Sequence, residues 1–198
     1  MKIIKFFVAS SIDEFSMERQ SLKAFISQLN DIYIHRGIYF ELILCEYLSN
    51  AVQKYGSQEM YNNKIRECDY FYILVGKFLG EYTLQEYEVA IDYFNHNETP
   101  NIYPYFLQLD SGEKASASVL AFMKKLDQEL KHYYSHFSDI NTVKLNMLLE
   151  LVANPNISGF ISFKDGQATV DNQPILDLHD IAAYRNSTVI ADLFSKKQ

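Results

Sequence analysis

The sequence lacks tryptophan, has only two cysteines among its 198 residues, and contains no long apolar run. A membrane-spanning helix needs roughly 20 consecutive apolar residues, and the apolar runs here are much shorter. The amino-terminal segment passes into Ser10 and Ser11 without the small-residue cleavage site of a secretory signal. Cys45 and Cys68 lie in or beside apolar segments without the spacing of zinc ligands, so we expect buried thiols and no disulfide. These absences predict a cytoplasmic protein with no metal site and no membrane partner.

Charge and composition narrow the class of partner. The net charge is −7, whereas proteins that bind nucleic acids draw their affinity from clustered lysine and arginine. We therefore expect no nucleic-acid partner. A hydrophobic content of 48% is enough for a full core, so disorder is not expected. Most of the 15 tyrosines and 14 phenylalanines should be core or interface residues.

Strand-like and helix-like segments alternate along the first half of the chain. Because parallel neighbours need helical crossovers, this order predicts an α/β fold with a flavodoxin-like, doubly wound parallel sheet. Pro104 lies inside the fourth strand and predicts an edge strand or a bulge there. Strands are predicted at residues 2–9, 38–45, 70–75 and 101–107, and helices at residues 14–33, 59–67 and from Thr83 onward.

The carboxyl-terminal part departs from this alternation. Residues 118–134 and 140–151 are predicted to be helical, and residues 159–170 to form a hairpin that turns at Asp-Gly. Residues 175–198 have the character of a linker toward a further domain. We therefore expect an α/β domain over residues 1–137 and an annex of helix, hairpin and linker over residues 138–198.

The segment around the third predicted strand is the most informative. Tyr70 to Val75 is continuously apolar, as in a strand buried on both faces of a parallel sheet. In the next helix Thr83 is the predicted N-cap, and Glu86, three residues later, could close a capping box with it. Glu86 also follows the carboxyl end of a parallel strand, where open α/β sheets bind ligands. Both roles stay open, and we favour the functional one.

Three segments carry a family resemblance: Phe-Phe-Val-Ala-Ser-Ser at residues 6–11, Arg-Glu-Cys-Asp-Tyr-Phe-Tyr-Ile-Leu-Val at 66–75, and Glu-Tyr-Thr-Leu-Gln-Glu-Tyr-Glu-Val-Ala at 81–90. Over about residues 1–110 the chain resembles a bacterial TIR domain, of the group found at the front of larger prokaryotic defence proteins. The resemblance implies an NAD+ glycohydrolase or ADP-ribose cyclase in antiphage signalling, with NAD+ as substrate and no separate cofactor. It also implies activation by self-association through TIR–TIR contacts, and a downstream sensor domain.

The same resemblance assigns roles to two side chains of the third-strand helix. Glu86 corresponds in position to the catalytic glutamate of enzymatic TIR domains. Tyr82 stands where many bacterial members have tryptophan, so an aromatic ring is retained. Tyr82 and Glu86 are four residues apart, so if the helix starts early enough they share one face, which would place a stacking ring beside a carboxylate. Glu88 points about 200° away around the helix, and Glu81 is expected in a loop.

The implied chemistry needs a single carboxylate. Nicotinamide is cationic in NAD+ and leaves as a neutral ring, so its departure needs no general acid, unlike the oxygen leaving group of ordinary glycosidases. One anion can stabilise the oxocarbenium-like centre and hold the ribose hydroxyls. Glu86 therefore needs no acidic partner.

Three further residues belong to the predicted site. Ser10 and Ser11 lie where the first strand meets its helix, a place that can bind phosphate or ribose oxygens, or where a serine simply caps the helix. Lys77 follows the third strand and either approaches a phosphate or is a solvated surface charge.

Two other features are ambiguous. The long segment 46–58, in the position of the TIR BB loop, is either functional or solvent-exposed filler. His132 and His136 are expected four apart on one solvated helix face rather than as metal ligands.

Two alternatives to the NAD+ hydrolase remain. A TIR domain can serve as a non-enzymatic interaction module that assembles with like domains. Nucleoside 2-deoxyribosyltransferase-like enzymes share the fold, the N-glycosidic chemistry and a glutamate nucleophile. Base exchange on deoxynucleosides would indicate the latter class.

Overall fold

A computed structural model describes residues 1–45, 57–154, 157, 160–179 and 181. Within these ranges, no helix combines the length and the apolarity that crossing a bilayer requires. The strands and helices, in chain order, are β1 Lys2–Ser10, α1 Ser16–Tyr33, β2 Ile38–Ile43, α2 Ser57–Arg66, β3 Tyr70–Val75, α3 Glu81–Asn97, β4 Asn101–Leu107, α4 Ala117–Lys124, β5 Ser135–Phe137, α5 Asn141–Ala153, β6 Ile161–Lys164, β7 Gln167–Val170 and β8 Gln173–Asp177.

The first five strands form one sheet in the order β2-β1-β3-β4-β5. Every neighbouring pair in this sheet is parallel. This order is that of flavodoxin-like doubly wound folds, so the predicted fold class is confirmed. The fifth strand, β5, is three residues long and falls between two segments that the sequence predicted as helices.

Strand β3 is central because its apolar run can be buried on both faces. All six of its residues are buried. Phe71, Ile73 and Val75 pack with side chains of α3 and α4 on one face of the sheet. The alternate residues Tyr70, Tyr72 and Leu74 pack with α1 and α5 on the other face. Because β3 is packed on both faces, the position of its carboxyl end in the sheet is fixed, and the candidate site lies at that end.

Pro104 does not mark an edge strand, so that prediction is wrong. Strand β4 lies between β3 and β5, and its register with β3 runs without a break past the pair Ile73 and Pro104. Strand β5 pairs with β4 only from Tyr105 to Leu107. The β5 side of β4 is therefore unpaired at Pro104, where a residue without an amide hydrogen removes no bond to β5.

The carboxyl-terminal part folds onto the face that carries α1. Strands β6, β7 and β8 form an antiparallel sheet, and the predicted turn at Asp165 and Gly166 is confirmed by positive φ angles of 51° and 72°. Apolar side chains of α5 and of this small sheet belong to the same buried cluster as β1 and α1. The division between residues 137 and 138 stays a prediction, and one apolar core extends across it.

The two histidines do not share a helix face, contrary to the prediction. Helix α4 continues as a π-helical segment, Lys125–Leu130, and Lys131 with φ of 50° ends it. His132 follows that end, whereas His136 lies on β5. Because the two histidines lie on different kinds of backbone structure, their spacing of four residues no longer places them side by side as it would on one helix.

Candidate functional site

Helix α3 begins earlier than the sequence predicted. Gly80, with extended backbone angles, is the N-cap residue, and its carbonyl accepts a 3.0 Å hydrogen bond from the Leu84 amide. Thr83 lies inside the helix and is buried, so the predicted capping box between Thr83 and Glu86 is wrong. Glu81, expected in a loop, is the first helical residue. Glu86 therefore lies in the second turn of α3, too far along to cap the helix.

Glu86 is buried at the carboxyl end of the sheet. Only 6% of the Glu86 surface is exposed to solvent. Burial raises the pKa of the Glu86 carboxyl to about 7, and the Arg19 guanidinium opposes this change. Water cannot solvate the carboxylate fully, so the protonated and ionised forms are both populated near neutral pH.

An open cavity of about 560 Å³ lies beside Glu86. Phe78 and Tyr82 are 61% and 74% exposed, so their rings are accessible to a ligand that enters. Residues from the ends of β1, β2 and β3 and from the starts of α2 and α3 line the cavity: Ser10, Ser11, Ile12, Asp13, Cys45, Gln58, Tyr61, Phe78, Gly80, Tyr82, Thr83 and Glu86. The structure thus brings together four of the five predicted site residues.

Arg19 contacts Ser10 and Cys45, which both line the cavity. Arg19 was not identified from the sequence. The residue is 2% exposed. One guanidinium nitrogen donates to the Ser10 hydroxyl at 2.6 Å and to the Ser10 carbonyl at 3.3 Å, and the other donates to the Cys45 sulfur at 3.4 Å. Arg19 falls in line with the buried Leu22 and Ile26 of α1. A charge within an apolar helix stripe was the available signal.

The two serines differ in their bonding. The Ser11 hydroxyl accepts a 3.3 Å hydrogen bond from the Glu14 amide in the turn before α1, but the N-cap residue of α1 is Phe15, so Ser11 does not cap the helix. The Ser10 hydroxyl is bound by Arg19 instead. Both residues still line the cavity.

Lys77 is the predicted site residue that does not line the cavity. Its ammonium group lies 3.3 Å from the Glu113 carboxylate, and its side chain is 41% exposed. The arrangement corresponds to the solvated-charge alternative. An exposed pair of this kind contributes about 0 to 1 kcal/mol.

The cysteines occupy two different environments. Cys68 is buried, as predicted, and burial raises the pKa of its thiol to about 12. Cys45 is only partly buried and lines the cavity beside Ser10, which the sequence did not anticipate. Residues 46–56 of the predicted BB-loop segment lie outside the described part of the chain.

The fold and the site together define an α/β protein whose cleft at the carboxyl ends of parallel strands contains a buried glutamate. No protein-family model matches the chain, and no curated protein sequence matches it. Among solved structures it is similar to a CMP N-glycosidase from Clostridium botulinum, BcmB. The identity is 14%, the alignment covers 74% of this chain and 99% of that chain, and the TM-score is 0.48. A similarity this low carries no weight for family, substrate or mechanism.

Proposed function

We propose that this protein hydrolyses the N-glycosidic bond between ribose and nicotinamide in NAD+, with Glu86 as the catalytic carboxylate. One observation carries the proposal. Among the residues whose side chains the structure describes, Glu86 is the sole buried acidic residue, and it borders an open cavity. Burying a carboxylate costs free energy, and carboxylates whose pKa is raised by burial are concentrated at functional sites.

The reaction can proceed with this one acid. As the bond from ribose C1′ to the pyridinium nitrogen breaks, its electron pair moves into the ring and nicotinamide leaves as a neutral molecule. The Glu86 carboxylate faces the positive charge that develops at C1′. Water then adds to C1′ and releases a proton, which gives ADP-ribose. In the cyclase variant a nitrogen of the substrate's adenine takes the place of water.

A cationic substrate suits the raised pKa of Glu86. In the empty cavity burial favours the protonated acid, which cannot stabilise a cation. A positive pyridinium ring about 4 Å away would favour the carboxylate by about 4 kcal/mol at an effective dielectric constant near 20. Substrate binding would thereby ionise the catalytic group, and a neutral substrate would not.

The rest of the cavity fits a nucleotide fragment. Its volume of about 560 Å³ is within the range of small-molecule sites. The exposed rings of Phe78 and Tyr82 offer stacking surfaces, and the hydroxyls of Ser10 and Ser11 offer polar contacts for ribose or phosphate. Activation by self-association and a role in defence signalling remain part of the proposal, supported by the sequence resemblance alone.

A second candidate is cleavage of a nucleoside or nucleotide whose base is uncharged. Its base leaves as an anion unless it is protonated, so the reaction needs a proton donor as well as the carboxylate. Asp13 lines the same cavity as Glu86 and is exposed, which makes it the residue that favours this candidate.

The two candidates separate in a substrate panel. Wild-type protein at high concentration is incubated with NAD+, NADH, CMP and deoxynucleosides, and the products are separated by chromatography. The proposal expects nicotinamide from NAD+ and none from NADH, whose dihydropyridine ring is uncharged and leaves poorly. Base release from CMP, or base exchange between deoxynucleosides, with NAD+ left intact, would establish the second candidate. No turnover of any substrate, even at concentrations that force assembly, would favour an interaction module.

A further inference from the structure

The Glu14 carboxylate joins two loops that border the cavity. Glu14 lies between β1 and α1, directly after Asp13. One of its carboxylate oxygens accepts a 2.5 Å hydrogen bond from the backbone amide of Lys77, in the loop between β3 and α3. Because the acceptor is charged, this is one of the stronger kinds of hydrogen bond. Asp13 and Phe78, the neighbours of the two bonded residues, both line the cavity.

Gly76 provides the space for this carboxylate. A Cβ atom built on Gly76 would lie 2.2 Å from Oε1 and 2.3 Å from Cδ of Glu14. Gly76 is not among the glycines with a positive φ angle, so its backbone conformation is open to other residues. The carboxylate, rather than the backbone, therefore accounts for glycine at this position.

A second hydrogen bond holds the backbone of Lys77 on its carboxyl side. The Lys77 carbonyl accepts a 2.9 Å hydrogen bond from the amide of Ser116, the residue that caps α4. The Glu14 bond and the Ser116 bond thus fix the two peptide units on either side of the Lys77 Cα atom. Phe78, the next residue, and Gly80 form part of the cavity wall.

We propose that Glu14 is a positioning residue that sets the spacing between the two walls of the cavity, through its hydrogen bond to the Lys77 amide above Gly76. Glu14 itself is not among the residues that line the cavity. Its predicted effect on substrate binding rests on the function proposed above, whereas its effect on the loop does not.

Four variants test the proposal by steady-state nicotinamide release. E14A removes the acceptor, and G76A displaces the carboxylate while leaving Glu14 in the chain. We expect each to raise KM about tenfold with kcat changed less than about threefold, because Glu86 stays in place on α3. E14Q keeps an acceptor oxygen, and the second oxygen of Glu14 has no hydrogen-bond partner among the described residues, so E14Q should restore most of the binding. The double variant E14A/G76A should bind no worse than E14A, because the new Cβ enters vacated space.

Amide hydrogen exchange at Lys77 provides a readout that is independent of catalysis. E14A and G76A should exchange this amide at least about tenfold faster than wild type and E14Q, since local opening determines exchange. If wild type releases no nicotinamide, the proposed function fails, but the exchange result still decides the role of Glu14. Unchanged exchange in E14A, or a lowered Tm with unchanged KM, or additive losses in the double variant, would overturn the proposal.

Discussion

Two buried polar clusters in this protein have similar electrostatics and different access. The first contains Glu86, Arg19 and Ser10 at the carboxyl end of the sheet. The second lies under α5, where the Tyr72 hydroxyl donates to Asn146 at 2.9 Å. Burial is the main cause of a raised pKa in both clusters, at Glu86 in the first and at Tyr72 in the second.

Access to solvent separates the two clusters. Glu86 borders a cavity of about 560 Å³. Tyr72 is instead stacked on Tyr103 with ring centroids 4.9 Å apart, and it is fully buried. Tyr72 is shut off from solvent by its neighbours, so no ligand can reach the hydroxyl whose pKa is raised. A perturbed pKa indicates function only where a cavity admits a substrate.

The largest predicted effect on stability is a pH-dependent cost at Glu86. The folded pKa of about 7 lies above the ordinary value of 4.5, so the folded chain binds this proton more tightly than the unfolded chain. Stability is therefore lost as the pH rises from about 4.5 to about 7, by roughly 3 kcal/mol at about 1.4 kcal/mol per pH unit. Glu86→Gln removes this dependence. Denaturant unfolding of both proteins at pH 4.5 and pH 8 should show the variant gaining about 3 kcal/mol relative to wild type.

The control for that experiment is Glu88→Gln, on the same helix but exposed and paired with Lys125 at 3.3 Å. The unfolding free energy of Glu88→Gln should depend on pH in the same way as that of wild type. A Glu86→Gln curve parallel to wild type would mean that the carboxyl titrates normally.

A smaller effect is expected in the closed cluster, and on stability alone. Asn146→Ala leaves the buried Tyr72 hydroxyl without its partner, which should cost about 1 to 3 kcal/mol of unfolding free energy. Tyr72→Phe removes the hydroxyl itself and should cost about 1 kcal/mol. The loss of unfolding free energy in the double variant should be closer to that of Tyr72→Phe than to the sum of the two single losses. Nicotinamide release per folded molecule should be unchanged in all three variants. A fall in kcat would show that this closed cluster also contributes to catalysis.

The smallest effect concerns Arg19, measured as the pH dependence of kcat/KM. In wild type kcat/KM should rise with pH and level off above about 7, because the free enzyme must carry an ionised Glu86. Arg19→Met removes a positive charge that lowers the pKa of Glu86, so the rise should move to higher pH by about 1 unit. Arg19→Lys keeps the positive charge, so the pH at which kcat/KM rises should change less. An unchanged profile in Arg19→Met would show that Arg19 only holds Ser10 in place.

Local pattern was enough for the features that one segment determines by itself. The apolar run of β3 predicted a strand buried on both faces, and the helical period placed Tyr82 and Glu86 on one side of α3. The helix start was missed because Gly80 takes the N-cap role without a side-chain hydrogen bond, whereas Thr83 and Glu86 matched the pattern of a capping box. Pro104 was misjudged because β5, only three residues long, is too short to be recognised.

Long-range contacts were beyond local pattern. Glu14 and Lys77 are 63 positions apart, and no periodicity links them. Arg19 meets Ser10 and Cys45 only once β1, β2 and α1 have packed together. Sequence reasoning therefore found the catalytic candidate and missed the residues that support it.

Nicotinamide release from NAD+ decides whether Glu86 carries out the proposed chemistry. Wild type, Glu86→Gln and Glu88→Gln are compared at pH 8 and at matched high protein concentration. We expect Glu86→Gln to lose at least about a thousandfold in kcat while Glu88→Gln stays within about twofold. Comparable release by wild type and a correctly folded Glu86→Gln would contradict it.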